Sequence, residues 1–275
     1  MLGGGGFPGS AWETGLIAGL FEAGIDLTTA DLVVGTSAGS VVGAQLTSGA
    51  SVPEVYAAQL TTPSSATPRR FGAREALHFT VALVRARGDV EALGRRLGAW
   101  SAREEQRGRT LSPEERYATT DWRLRGADWP DPPRLLVTAV DQVTGRLRVF
   151  DGTDGVPLRD AVTASTAVPG VYPPVPIAGR RYIDGGARSG GNADLARGCD
   201  LVLALMPRDR SVGPMRSVAQ QLEGVPTLVI GPDEKGAAAV GANLLDPASQ
   251  VASARAGHAQ AAAVADAVRE HWSGG

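Results

Sequence analysis

The chain has 275 residues and a net charge of −2, and 43% of its residues are hydrophobic. This length suits one large domain, and the charge provides no basic surface for nucleic acid. The single cysteine, Cys199, excludes an internal disulfide and a multi-cysteine metal site, and we interpret it as buried and inert. We expect a cytoplasmic protein, because we find neither an apolar run long enough for a membrane span nor a secretory signal pattern.

The start of the chain predicts a helix, a strand and a second helix. Four glycines at 3–6 precede residues 10–23, where apolar side chains recur at helical spacing. These side chains are Leu16, Ile17, Leu20 and Phe21. Residues 31–35 predict a buried strand, and the small residues at 38–48 predict the helix that follows it.

The segment 61–130 predicts a helical insertion or cap. It begins with a loop at 61–72, continues with Arg-rich helical sequence at 73–125 and leads into a Pro-rich connector at 126–133. One helical face within this segment carries three apolar residues, Leu77, Val81 and Val84. That face fits either an interfacial lid or a helix packed on the domain.

The next part of the chain predicts short strands. Residues 134–150 predict a β-hairpin that turns near Thr144-Gly145. A short helix is expected at 158–165, and Tyr182-Ile183 ends a strand at Asp184-Gly185-Gly186.

The last part of the chain completes an alternation of strands and helices. The apolar runs 201–206 and 226–231 are typical of parallel strands, and residues 247–271 predict an Ala-rich terminal helix. The alternation predicts an α/β fold with three α/β/α layers and a mostly parallel central sheet. We expect one domain over residues 1–275.

A Gly-x-Ser-x-Gly pattern joins the first strand to its helix, with Ser37 between Gly35 and Gly39. This is the nucleophile-elbow pattern, in which a sharp turn exposes the serine hydroxyl and flanking glycines prevent clashes. The alternative is an ordinary tight turn.

A nucleophilic serine needs a base, and the chain has three histidines, His78, His258 and His271. None of them follows a predicted strand, so we interpret them as surface or cap residues. Asp184 follows a strand end, and the glycines after it allow close approach of the backbone. Asp184 is therefore the candidate base, with a simple turn as the alternative.

The N-terminal glycines form the third candidate element, because bare backbone N–H groups can hold the negative charge that acyl transfer places on a carbonyl oxygen. The candidate donors are Gly4, Gly5, Gly6, Phe7 and Ala38. The spacing Gly4-x-Gly6-x-x-Gly9 also fits a dinucleotide fingerprint, but that fingerprint needs a full strand before the glycines and an acid at the end of the next strand, whereas here the strand 31–35 ends on Gly35.

These three elements, in this order, resemble the patatin-like phospholipase family. Residues 160–186 look like the family's approach to its aspartate, with Ala164-Ser165-x-Ala167-x-Pro169 and the pair Pro173-Pro174. The resemblance covers residues 3–49 and 134–206. The chain departs from the family at Pro8, where Arg or Lys is usual, and at Asn192-Ala193, where Asn-Pro is often found. Only Met1 and Leu2 precede the glycines, where the family has a full strand.

The resemblance implies hydrolysis of a lipid carboxylic ester through an acyl-serine, with Ser37 as nucleophile and Asp184 as base. It implies an oxyanion hole in the loop from Gly4 to Gly9 and no metal or organic cofactor. The motif glycines are Gly9, Gly35, Gly39, Gly185 and Gly186. Two alternatives stay open: a thioesterase or acyltransferase with the same residues, and an inactive lipid-binding regulator. Peripheral membrane contact and the oligomeric state also stay open. Ser165 is interpreted as a helix serine at the pocket wall.

Overall fold

The central layer of the computed structural model is a β-sheet in two parts. The described residues are 1–61, 69–131, 134–209 and 211–272. They form seven strands: β1 (Leu32–Thr36), β2 (Arg134–Asp141), β3 (Leu147–Phe150), β4 (Val175–Ile177), β5 (Arg180–Asp184), β6 (Val202–Leu205) and β7 (Thr227–Ile230). The first part has the order β1-β2-β5-β4, with β3 also paired to β2, and the second part is β6-β7.

Leu2 joins the two parts of the sheet. It forms parallel bridges to Gly35 of β1 and to Leu205 of β6. The N–H of Leu2 donates to the Val34 carbonyl at 2.9 Å, and the N–H of Gly3 donates to the Leu205 carbonyl at 3.0 Å. The glycine loop therefore starts from the middle of the sheet.

The sheet is mixed, which corrects the prediction of a mostly parallel one. The pairs β1–β2 and β6–β7 are parallel, whereas β3 and β5 run antiparallel to β2, and β4 runs antiparallel to β5. Short connections explain the antiparallel pairs β2–β3 and β4–β5, because strands joined by a few residues can pair only as antiparallel hairpins. The β4–β5 turn consists of Ala178 and Gly179, both with positive φ, as tight hairpins require.

The helices surround this sheet. They are α1 (Gly6–Glu22), α2 (Ala38–Thr47), α3 (Val52–Gln59), α4 (Ala73–Ala86), α5 (Val90–Gln106), α6 (Pro113–Leu124), α7 (Leu158–Ser165), α8 (Val218–Gln221), α9 (Glu234–Val240) and α10 (Gln250–Trp272). The predicted helices at both chain ends and at 158–165 are confirmed, as is the hairpin β2–β3. The sequence did not predict α3, α8, α9 or β4. On α1, Leu16, Ile17 and Leu20 are buried as expected, whereas Phe21 is exposed.

Helices cover both faces of the sheet, which confirms three layers. Alternate residues of β6 show this, because successive side chains of a strand point to opposite faces. Leu203 and Leu205 pack with α1 and α10, whereas Val202 and Ala204 pack with α8. The helices α2 and α7 lie over β2 on the first face, and α5 lies over β2 and β5 on the second.

The segment predicted as a cap contains α4, α5 and α6. The helix α5 packs directly on the sheet through Leu93 and Leu97, and α4 packs on α5. On the outer face of α4, Leu77 is 63% exposed and Val84 is 72% exposed. The loop positions 62–68 and the connector positions 132–133 lie outside the described residues. That this segment is an insertion in one domain stays a prediction.

Candidate active site

Ser37 lies in a strained turn between β1 and α2. Its backbone has φ +53° and ψ −114°, a conformation that a residue with a side chain seldom adopts. A Cβ atom added to Gly39 would lie 2.1 Å from the Leu2 carbonyl oxygen, so the helix can approach the sheet only with glycine at this position. Such strain persists where the surrounding structure enforces it, and it is common at functional sites.

The Ser37 hydroxyl contacts Asp184 directly. It donates a hydrogen bond to Oδ2 of Asp184 at 2.7 Å, and the N–H of Gly186 donates to Oδ1 at 2.7 Å. Each carboxylate oxygen therefore accepts a hydrogen bond, Oδ2 from the serine hydroxyl and Oδ1 from the Gly186 N–H. The structure thus brings together the two residues that the sequence separates by 147 positions.

The strand register explains why Ser37 and Asp184 lie close together. Thr36 pairs with Thr138 on β2, so Ser37 follows at the level of Ala139. Asp184 of β5 pairs with Ala139 from the other side. The two residues therefore flank one strand, about two strand spacings apart, or roughly 10 Å. Two short side chains span that gap without an intervening histidine.

The histidines lie elsewhere. His78 stacks on Trp100, His258 stacks on Tyr56, and a ring nitrogen of His271 contacts the Val202 carbonyl. All three lie within the described part of the chain, and none of them contacts either candidate catalytic residue.

Burial makes Asp184 a stronger base than an ordinary aspartate. Ser37 is 8% exposed and Asp184 is 5% exposed. Burial raises the pKa of Asp184 to about 6, against the opposing effects of the Ser37 hydroxyl, the Gly186 N–H and the charge of Arg116. A base whose pKa lies near neutrality is suited to accept and return a proton.

The glycine loop lies beside the serine. Gly6 has φ +65°, and a Cβ there would lie 1.8 Å from the Leu244 carbonyl oxygen. Two predicted oxyanion donors are already engaged, which corrects their assignment. The N–H of Gly4 donates to the Gly190 carbonyl at 2.9 Å, and that of Phe7 donates to the Leu244 carbonyl at 3.0 Å.

The other three predicted donors are free in the described structure. Within the described ranges, no acceptor contacts the N–H of Gly5, Gly6 or Ala38. Gly6 begins α1 and Ala38 begins α2, so two helix N-termini provide free N–H groups in this region. Together they can stabilise negative charge near Ser37. At the remaining motif glycines a Cβ atom would crowd a neighbour: Pro207 at Gly9, Ser40 at Gly35, Thr138 at Gly185 and Asp184 at Gly186.

Asn192 ties the site together, a role that the sequence did not predict. It is completely buried, and its amide nitrogen lies 3.1 Å from Oγ1 of Thr36 and 3.2 Å from Oγ1 of Thr138. The same nitrogen lies 3.2 Å from the Gly185 carbonyl. It thus links the ends of β1 and β2 to the turn after Asp184. The family's asparagine at this position was the available signal.

Two further buried residues support the turn and the loop. Oγ of Ser165, at the end of α7, accepts the Ser37 N–H at 2.9 Å. Ser165 is therefore a structural partner of the elbow, in agreement with its interpretation as a helix serine. Glu13 of α1 accepts the Gly3 N–H at 2.8 Å, and burial raises its pKa well above the usual range. A glutamate within an apolar helix was the signal for this anchor.

A small cleft of about 20 Å³ lies at the serine. It is lined by Ser37, Ala38 and Phe7, with Arg116 and Arg123 of α6 in its wall. The Arg123 guanidinium carbon lies 4.9 Å from the Phe7 ring centre, next to Pro8, where the family usually has its basic residue. Such a cleft has room for one or two water molecules, so the site is closed to a lipid.

A larger cavity of about 500 Å³ lies away from the serine. It lies between the amino ends of β1 and β6 and is lined by Leu32, Val33, Val202 and Cys199. None of the candidate catalytic residues lines it. Cys199 is partly exposed, which corrects the expectation of a buried thiol.

In the described ranges, no three His, Cys, Asp or Glu side chains are grouped so that they could hold a metal ion. Among the helices of those same ranges, none combines the length and apolar character needed to cross a membrane.

The fold and this geometry define an α/β protein in which a serine on a strand-to-helix turn donates a hydrogen bond directly to an aspartate. The model of the patatin-like phospholipase family matches residues 1–197, and the chain belongs to this family. Comparison with curated protein sequences found no match.

A solved structure, that of VipD from Legionella pneumophila, is similar at 14% sequence identity with a TM-score of 0.47. The alignment covers 96% of this chain and 66% of VipD, so the chain spans just under two thirds of that structure.

Proposed function

We propose that the protein hydrolyses acyl esters of lipids, in the manner of a phospholipase A or a lysophospholipase, through an acyl-serine intermediate. Membership of the patatin-like phospholipase family supports lipid acyl hydrolysis. The observation that carries the assignment of residues is the 2.7 Å hydrogen bond from the Ser37 hydroxyl to Asp184. A serine held to a buried carboxylate has a direct acceptor for its proton.

In the first half of the reaction, Oγ of Ser37 attacks the ester carbonyl carbon while Oδ2 of Asp184 takes the hydroxyl proton. The carbonyl oxygen becomes negatively charged, and the free N–H groups of Gly5, Gly6 and Ala38 stabilise it. The tetrahedral intermediate then collapses, the C–O bond to the leaving alcohol breaks, and Asp184 returns its proton to that oxygen. Ser37 is left as an acyl ester.

In the second half, water replaces the alcohol. Asp184 takes a proton from the water as its oxygen attacks the acyl carbon. Collapse of the second intermediate releases the fatty acid, and the proton returns to Oγ of Ser37. The hydrogen bond from Gly186 to the other carboxylate oxygen keeps Asp184 in place throughout.

Labelling with a fluorophosphonate probe tests the proposal, because the probe reacts only with an activated serine. We expect an adduct on Ser37 in the wild type, none in Ser37→Ala, and strongly slowed labelling in Asp184→Asn. Mass spectrometry locates the adduct, and release of fatty acid from phospholipid and lysophospholipid measures turnover. If the folded wild type is not labelled, Ser37 is not activated and the lipid-binding alternative replaces hydrolysis. An adduct on another serine would refute the assignment of Ser37.

A further inference from the structure

Two arginines of α6 lie in the wall of the cleft that contains Ser37. Arg116 and Arg123 line it together with Phe7 and Tyr172. The Arg116 guanidinium carbon lies 4.6 Å from the Tyr172 ring centre, as Arg123 lies over Phe7. Each guanidinium thus lies over an aromatic ring that also lines the cleft of the candidate active site.

Neither arginine is neutralised by an ion pair. Across the described ranges, no carboxylate lies within 4.0 Å of the side-chain nitrogens of Arg116 or Arg123. Arg116 is 4% exposed and donates to Thr166 and to the Thr163 carbonyl, but its Nε has no partner among the described residues. Arg123 donates to Oγ of Ser10 at 2.6 Å.

A buried and a partly buried charge of the same sign in one cleft are costly, because charges in an interior are normally paired. Burial, and after it the charge of Arg116, lower the pKa of Arg123 to about 10. The carboxyl group of Glu13 acts on Arg123 only weakly, since burial holds Glu13 towards its neutral form. The charge of Asp184 attracts that of Arg116, but the two side chains lie too far apart to form an ion pair. The cleft therefore has an excess of positive charge when it is empty.

We infer that Arg116 and Arg123 form a subsite for an anionic group, a phosphate or a carboxylate, on the substrate whose ester bond Ser37 attacks. Guanidinium groups bind such oxygens with charge-assisted hydrogen bonds, often two at a time. The inference rests on the proposed function and narrows its substrates to acyl esters with a negative charge close to the ester. Neutral acylglycerols lack the group that the arginines bind.

Three substrates with the same acyl chain test the subsite below their aggregation concentrations: an acylglycerol, an acylglycerol phosphate and an acyl ester of glyceric acid. We expect the wild type to hydrolyse at least one anionic ester with a kcat/KM at least tenfold above that of the acylglycerol. The two anionic esters show whether the group is a phosphate or a carboxylate. Equal kcat/KM values for all three substrates would overturn the inference, without any variant being needed.

Variants assign the preference to the two side chains. In Arg116→Gln and Arg123→Gln, we expect the ratio of kcat/KM for the preferred anionic ester to kcat/KM for the acylglycerol to fall roughly tenfold, the loss of one charge-assisted contact. Arg125→Gln removes the same charge next to the same helix without lining the cleft, and it should match the wild type. Equal losses for charged and neutral esters would show that the arginines act only on Asp184 or on the fold.

The labelling experiment separates this inference from the proposed function. A wild type that is not labelled at Ser37 removes the hydrolase assignment. A wild type that is labelled but shows no preference for anionic esters removes only the anionic subsite. Thermal unfolding of each variant identifies any loss that is due to misfolding, and Arg123→Lys, which keeps the charge, should recover part of the preference.

Discussion

Replacing Asp184 by asparagine should inactivate the protein and stabilise it. The pKa of Asp184 is raised by burial from 3.8 to about 6, so the folded protein binds this proton more tightly than the unfolded chain does. At pH 7 the carboxylate is ionised in both states, and keeping it ionised inside the protein costs about 3 kcal/mol, at 1.36 kcal/mol per pKa unit. The neutral amide avoids this cost and keeps the shape of the side chain.

The sign of the pH dependence follows from the same two pKa values. As the pH falls from 7 through about 6 towards 4, the folded protein binds the proton before the unfolded chain does. The free-energy cost of Asp184 to folding therefore decreases as the pH falls. The stability gained by Asp184→Asn should therefore shrink from about 3 kcal/mol at pH 7 to about 1 kcal/mol at pH 4.5. Activity and stability thus make opposite demands on this residue.

Urea unfolding followed by tryptophan fluorescence at these two pH values measures the effect. Asp121→Asn is a suitable control, because it removes the same charge from a half-exposed side chain that pairs with Arg159. The control should change the free energy of unfolding by less than about 1 kcal/mol. The reasoning fails if Asp184→Asn is no more stable than the wild type at pH 7, or if its advantage is the same at both pH values.

Three further outcomes are expected. The rate of fluorophosphonate labelling should fall below pH 6, about tenfold per pH unit, because protonated Asp184 cannot accept the serine proton; a rate independent of pH between 4.5 and 7 would contradict this. Asn192→Ala should lower the free energy of unfolding by roughly 2–4 kcal/mol and slow labelling, since its buried hydrogen-bond partners lose their donor; unchanged labelling would deny Asn192 a role in the site. Leu77→Asp combined with Val84→Asp should weaken binding to phospholipid vesicles, measured by co-sedimentation, at least tenfold while hydrolysis of a soluble ester is kept. Val143→Asp, on the β2–β3 turn, is an exposed control, and an equal loss of binding in it would rule out a specific membrane face.

The sequence predicts the elements that carry the candidate catalytic residues because the signals for them are local. A short apolar run followed by Gly-x-Ser-x-Gly and a stretch of small residues favours a strand, a sharp turn and a helix. Ser37 accordingly lies between β1 and α2. The strand before Asp184 is similarly marked by Tyr182-Ile183 and ended by Gly185-Gly186. Local spacing is enough to place each residue on its own element.

The sequence does not predict the relations between distant elements. Nothing near Asp184 shows that β5 pairs antiparallel with β2, or that Ala139 lies opposite it. The engagement of the Gly4 and Phe7 N–H groups depends on Gly190 and Leu244, which lie far away in the chain. These contacts follow from strand register and loop packing, which a pattern of residue types leaves undetermined.

Both arginines of the cleft belong to the same helix, α6. Arg116 lies over Tyr172 and Arg123 lies over Phe7, so two of the side chains that line the cleft are also its positive charges. A lipid is too large for a cleft of about 20 Å³, so substrate entry requires lining side chains to move, and each cation–π contact that breaks costs about 0.5–2 kcal/mol. An anionic substrate replaces those contacts with charge-assisted hydrogen bonds, whereas a neutral one replaces them with nothing comparable. With the proposed anionic subsite in place, removing either arginine should widen the cleft and also weaken the preference for an anionic ester.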